Sequence, residues 1–218
     1  MSDSELKPTS RTQVRRLRER GAFDRETINN ILDATPLCHI SYLLEGKPAV
    51  VPTLQWREED RVYWHGSTAS QALRAAENSE TCLNVTLFDG LVLARSAFHH
   101  SANYRSATIF GIAEPILDFD LKLEKLKNFF DGLYPGRWDT LRPIMDKEVR
   151  ATSVLSLRIE EASAKIRSGH PVDDEEDYAV AVWAGMVPLE NRFGTPISDP
   201  RNIDGVAVPS YASDRAIG

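Results

Sequence analysis

Three short apolar runs follow one another between residues 37 and 66, each closed by polar turn residues. LCHISYLL (37–44) ends at Glu45-Gly46-Lys47-Pro48, AVVPTLQW (49–56) at Arg57-Glu58-Glu59-Asp60, and RVYWHG (61–66) at Gly66. Runs of this length joined by four-residue polar turns predict an antiparallel meander. Pro52 falls inside the second run. A residue with no N–H to donate predicts that this strand is bulged or lies at an edge there.

The rest of the chain extends the same pattern. Asp24 stands where an N-cap belongs, and Ile28, Ile31 and Leu32 then share one face of a short helix that Pro36 stops. Residues 67–78 predict a helix with Ala69, Leu73 and Ala76 on one face, and 120–133 predict an amphipathic one. ETCLNVTLF (80–88) and LVLARSAF (91–98) predict a hairpin turning at Asp89-Gly90. Residues 104–116 and 152–166 each predict one long strand, and 177–189 an apolar segment broken by Gly185. Six or seven mostly antiparallel strands with two or three helices give a mainly β class, a small antiparallel β-barrel with peripheral helices. Residues 1–20 predict a flexible, exposed basic arm, 21–190 the barrel domain, and 191–218 a loop-like extension.

Charge and composition narrow the function. The 26 Lys+Arg against 32 Asp+Glu leave a formal charge of −6, which gives no general attraction for nucleic acid. No apolar run reaches the roughly 18–20 residues of a membrane helix. The N-terminus lacks the apolar core of a secretory signal and carries Asp3, Glu5 and Glu19, so a cytoplasmic protein is expected. Cys38 and Cys82 sit in apolar stretches and predict buried free thiols rather than a disulfide framework or a zinc set.

Two segments carry candidate chemistry. In WHGSTAS (64–70) a strand end feeds a Gly/Ser turn and then a helix. Free backbone N–H groups and the helix dipole suit a phosphate there, Ser67, Thr68 and Ser70 add hydroxyls, and Arg74 adds charge from one turn on. An ordinary Ser/Thr helix cap accounts for the same residues. In FHHSANYRS (98–106), Tyr104 and Ser106 share one strand face and Arg105 takes the other. His99 and His100 cannot both aim at one ion from a regular strand, so no metal site is expected; a haem needs only one His, but nothing near these two supports it. The acidic run Asp173–Asp177 predicts a solvated loop. Trp56, Trp64, Trp138 and Trp183 are most simply core or interface residues. The absence of G-x-S-x-G and of G-x-G-x-x-G after a strand argues against nucleophilic hydrolysis and a Rossmann site.

In order, CHISYLLEGKPAVVPT, RVYWHGSTAS, DGLVLARSAFHHSANYRSATIFG, PGRW, SAKIRSGHPVDDEED and VWAGMVPL resemble the pyridoxamine 5′-phosphate oxidase-related flavoproteins, in the branch that includes nitroimidazole-resistance-type proteins. The resemblance implies an FMN-binding split β-barrel, a homodimer, and FMN held in two equivalent clefts between the subunits. It implies that Val51-Pro52-Thr53 lie along the isoalloxazine ring and that Trp64, His65, Gly66, Ser67 and Ser70 surround the ribityl phosphate. Tyr104, Arg105 and Ser106 would complete the cofactor site, with Trp183 approaching from the partner subunit. Where the oxidases proper carry an Arg-Lys pair this chain has Ser70-Gln71, and where they end in Arg-x-His-x-Arg it reads WAGMVPL. The implied function is therefore an FMN-dependent oxidoreductase acting on a small electron acceptor, not a true pyridoxamine phosphate oxidase. His65 and Tyr104 are the candidate proton or hydrogen-bond donors. The alternatives are a non-catalytic flavin store or redox sensor, and a barrel that binds deazaflavin or haem.

Overall fold

The computed structural model describes residues 5–213. The meander is present as β2 (Leu37–Leu44), β3 (Lys47–Glu58) and β4 (Arg61–Ser67). Around it lie β1 (Gly21–Ala22), α1 (Arg25–Asp33), α2 (Gln71–Ala76), β5 (Glu80–Leu93), β6 (Ser101–Ile112), β7 (Glu114–Pro115) and α3 (Phe119–Leu133). The chain continues through α4 (Asp146–Arg150), β8 (Thr152–Arg158), β9 (Glu161–Arg167), β10 (Gly185–Pro188) and α5 (Ser210–Ser213). The strands form one antiparallel sheet in the order β1-β9-β6-β5-β2-β3-β4-β8-β7, and β10 pairs with β5. Among the described residues no helix is long and apolar enough to cross a membrane.

Inward-facing residues curl this sheet into a split barrel. Val62 and Trp64 of β4, Leu83 and Val85 of β5, Ala107 and Ile109 of β6, Leu155 and Leu157 of β8, and Ala162 and Ala164 of β9 share one buried cluster with Ile28, Ile31 and Leu32 of α1. A Cβ at Gly111 of β6 would sit 3.0 Å from Leu157 Cδ1 of β8, so strands far apart in the sheet order touch across the core. As expected, Asp24 caps α1, its carboxylate accepting the Thr27 N–H at 2.8 Å. Cys38 is buried; Cys82 is only partly so, and both are free.

Four expectations need correction. Residues 80–93 form one strand, and Asp89-Gly90 is a bulge rather than a hairpin turn. The bulge flips the alternation, so Leu83, Val85 and Leu87 face inward before it and Val92 after it. Asp89 is drawn into the sheet by Arg105, which donates to it at 2.7 and 3.0 Å. Residues 152–166 form a hairpin, β8 turning into β9 at Ile159-Glu160, held by the Ile159 N–H on the Asp60 carbonyl and by Arg25 on the Ile159 carbonyl. The predicted strand 104–116 breaks at Ala113, which sends β7 to β8. With the short edge pieces this makes ten strands instead of six or seven. Finally, residues 5–14 of the expected arm lie against the barrel: Leu6 and Thr12 are buried, and Arg11 closes on Glu161 and Glu80.

Gly90 is required where β10 crosses the bulge. Its φ is +145°, and a Cβ there would meet the Val187 carbonyl oxygen at 2.5 Å and Pro188 Cα at 2.9 Å. Gly90→Ala is expected to detach β10 and the segment after it, with limited proteolysis cutting near 185–190 several-fold faster while the barrel core stays protected.

Candidate functional site

The site begins where β3 and β4 part. They pair from Glu58↔Arg61 to Gln55↔Trp64 and no further. Beyond that point β3 keeps only β2, through Lys47, and β4 keeps only β8, through Ser67. Two free strand edges therefore face one opening. Val51-Pro52-Thr53 form one lip, with Pro52 exposed opposite His39 as its missing N–H allows. His65, Gly66 and the turn into α2 form the other.

The turn is open, and its hydroxyls are partly engaged. Ser67 Oγ accepts the Ala69 N–H at 3.1 Å and Ser70 Oγ accepts the Leu73 N–H at 3.4 Å, which is the helix-cap arrangement. Thr68 and Gln71 are exposed, and Arg74 folds back to donate to the Thr68 carbonyl at 3.2 Å. α2 presses close on this lip: a Cβ at Gly66 would sit 2.7 Å from Leu73 Cδ1. Trp64 is a correction. Its ring is 2 % exposed and faces the barrel core with Val62, so it does not line the opening.

His65 points the other way, under α3. Its ring lies edge-on to Phe129 at 4.7 Å and to Trp56 at 5.9 Å. Nδ1 is shut off from solvent and has no hydrogen-bond partner among the described residues. Burial pushes the imidazole below its ordinary value, which favours the neutral ring. Phe130, stacked edge-on to Phe129, continues the aromatic layer into a cavity of about 870 Å³. Leu54, next to the Val51–Thr53 lip, forms one wall, and Leu133, Tyr134 and Arg137 form another. Residues 193–212 close it, tied by Arg137 donating to the Tyr211 hydroxyl at 2.8 Å.

The remaining expected residues lie elsewhere in the chain. β6 stands three places from β3 in the sheet, so Tyr104, Arg105 and Ser106 do not reach this opening. Arg105 is held by Asp89, whose carboxylate raises the guanidinium above its ordinary value. Trp183 is 66 % exposed and leans on Gly185, far along the sheet by way of β10 and β5. The structure thus sets 51–53 and 65–71 on the two strand edges that part beyond Gln55↔Trp64, and leaves 104–106 and 183 apart from them. The cavity walls at 54, 130–137 and 193–212 were missed, because three distant segments build them and no local pattern marks any of them.

The acidic run is also not uniformly solvated. The Asp173 side chain has no exposed surface and accepts from the Arg95 N–H at 2.9 Å, Arg95 Nη1 at 3.0 Å and the Ser96 N–H at 3.4 Å. His99 and Asp177 lie close to it, but Arg95 already meets its charge. Burial works to raise the Asp173 carboxyl, yet the Arg95 and Ser96 hydrogen bonds outweigh it and hold the group below its ordinary value. A depressed carboxylate adds stability above its unfolded value, and that stability is lost as pH falls through the folded one. The thermal midpoint of the wild type is therefore expected to drop on acidification below pH ~4, and Asp173→Asn to lower the midpoint at neutral pH and flatten that acid dependence.

Comparison with known proteins adds the following. A family model described as pyridoxamine 5′-phosphate oxidase matches residues 24–166. The flavocytochrome Anf3 from Azotobacter vinelandii is 49 % identical, with 98 % of this chain and 100 % of that one covered and a TM-score of 0.94. The FAD and heme binding protein from Mycobacterium smegmatis is 37 % identical, with 88 % and 95 % covered and a TM-score of 0.84. A candidate 5-nitroimidazole antibiotic resistance protein from Bacteroides thetaiotaomicron, 23 % identical with 66 % and 84 % covered and a TM-score of 0.55, shares the fold. No curated protein sequence matches the chain.

Proposed function

Since this chain belongs to the pyridoxamine 5′-phosphate oxidase family, we propose that it is a redox protein holding a flavin nucleotide and a haem. The observation that carries this reading is the whole-length similarity to a flavocytochrome at 49 % identity. The 37 % identical relative, named for FAD and heme, supports it independently and favours FAD over the FMN expected from the sequence.

The residues present fit both groups. The free β3 edge at Val51-Pro52-Thr53 offers main-chain polar groups to the rim of a flat ring, and the Ser67–Gln71 turn offers hydroxyls and Arg74 to an anionic tail. The apolar cavity beside this edge suits a haem, with Arg137 in its wall for the propionates. His65 does not line this cavity but lies one aromatic layer away, behind Phe129. It is the candidate iron ligand as a neutral imidazole whose buried Nδ1 has no partner among the described residues, and it would reach an iron only with Phe129 displaced. Such groups would supply electron transfer, and the residues named here would orient them and exclude water. A second copy of the chain is part of the proposal. It would bring Tyr104, Arg105, Ser106 and Trp183 to a neighbour's opening, and it would cover Phe98 and Val172, 98 % and 75 % exposed.

The test is cofactor content. Protein expressed with a haem precursor is expected to show a flavin band in the blue and a Soret band, to release FAD on extraction, and to sediment as a dimer. Protein that is colourless, and that takes up neither added flavin nucleotide nor haemin, would sink the proposal. Turnover with a small acceptor such as a nitroaromatic distinguishes an oxidoreductase from a store or sensor.

A further inference from the structure

A second polar site lies on the opposite side of the sheet, under the N-terminal segment. Leu6 donates its N–H to the Phe23 carbonyl at 2.9 Å, and buried Thr12 is bonded to Thr9. These anchors hold the following residues along the outer face of β6 and β9, leaving an open cleft of about 310 Å³ between them. The floor is a square of cross-strand neighbours, Ser106 opposite Lys165 and Thr108 opposite Ser163. Arg15 and Arg16 form the wall.

The charge in this cleft is uncompensated. The nearby acids Glu80 and Glu161 are both taken by Arg11. Among the described residues, Arg15, Arg16 and Lys165 form no ion pair with a carboxylate. Arg167 follows two residues after Lys165 on the same face and bonds only to the Asn103 side chain and the carbonyls of Gly169 and His170. Burial, and then the charge of Arg20, hold that guanidinium below its ordinary value. A chain with net charge −6 has here collected several cations with no counter-charge, fixed in place by buried anchors. The hydroxyls match that charge. Thr108 accepts from Asn84 at 2.9 Å and so keeps its own proton to donate, whereas Ser106 donates to the Lys165 carbonyl at 3.3 Å.

We propose that this cleft binds a phosphoryl or pyrophosphoryl group of a nucleotide, gripped by Arg15, Arg16 and Lys165 with Thr108 and Ser163 donating. Guanidinium, ammonium and hydroxyl donors around one concavity are the set a phosphate needs and a carboxylate-bearing partner does not fully use. The assignment does not depend on the redox reading. Two sources share the chemistry, a free nucleotide and the diphosphate of a flavin dinucleotide whose ring lies in a second copy's opening.

Calorimetric titration of the full-length protein with inorganic pyrophosphate and with ADP tests it. Wild type is expected to bind both, less tightly as salt rises. Arg15→Ala/Arg16→Ala, at exposed residues, and Lys165→Gln, at a half-buried one in the cleft floor, are each expected to weaken binding about tenfold or more at an unaltered thermal midpoint. Displacement of bound FAD but not of FMN by pyrophosphate identifies the dinucleotide as the source, and ADP binding with FAD retained identifies a free nucleotide; both support the cleft. Protein that takes up no flavin yet binds pyrophosphate keeps the cleft and loses the redox reading. Wild type that binds neither probe, or variants that bind both as tightly as wild type, overturns the proposal.

Discussion

Replacing His65 with alanine is expected to strip haem and leave flavin in place if the proposed pair of cofactors is bound. Burial favours the neutral imidazole over its charged form, and its buried Nδ1 has no partner among the described residues. A ring nitrogen left unpaired among Trp56 and Phe129 is costly. Loss of an outer partner of a metal-ligating histidine costs ~10–100-fold in affinity, so loss of the ligand itself is expected to exceed about a hundredfold. The readout is the Soret band and the extracted haem per chain, with flavin content and thermal midpoint as controls for folding. Added imidazole is expected to restore part of the band. The pH dependence follows the same cause. A proton competes with iron for this nitrogen only below the depressed value, so haem is expected to survive acidification past the ordinary histidine range. His100 is the rival ligand, since its Nδ1 lies 2.9 Å from the Ser96 carbonyl and its other nitrogen is left over. Haem kept by His65→Ala and lost by His100→Ala would move the ligand to the β5–β6 connection.

What the sequence made legible divides along a physical line. Strands β2, β3 and β4 and helices α1 and α3 were readable because their signals are local: apolar runs between polar turns, the amphipathic period of 120–133, and Asp24 accepting the N–H group of Thr27. The lips of the opening were readable for the same reason, through Pro52 in one strand and the Gly-Ser turn after the other. Asp89-Gly90 misled because its local preference for a hairpin yields to two distant contacts, Arg105 on the Asp89 carboxylate and the β10 backbone over Gly90. The large cavity was invisible because residues 54, 130–137 and 193–212 meet only in the folded chain. The N-terminal segment looked loose because a few isolated side chains, Leu6 and Thr12 among them, hold it and make no period.

Trp64 separates reading by motif from reading by strand alternation, and its substitution gives opposite results under the two. By motif it belongs with the Gly-Ser turn, and Trp64→Ala would then loosen the flavin tail with little effect on folding. By alternation it shares a face with Val62, which is fully buried, and its own ring is 2 % exposed between Gln55 and Leu155. The core cluster around it draws on β5, β6, β8 and β9 as well as α1, so no single element can collapse into the space a missing indole would leave. Trp64→Ala is therefore expected to cost about 3–5 kcal/mol of stability, a large part of the ~5–15 kcal/mol a domain possesses, read as a fall in the denaturant midpoint. Trp64→Phe removes less volume and is expected to cost less, with flavin affinity changed by less than about threefold, under ~1 kcal/mol. A Trp64→Ala protein that unfolds at the wild-type denaturant concentration but has lost its flavin would put the ring back in the opening and reverse the inward assignment of β4.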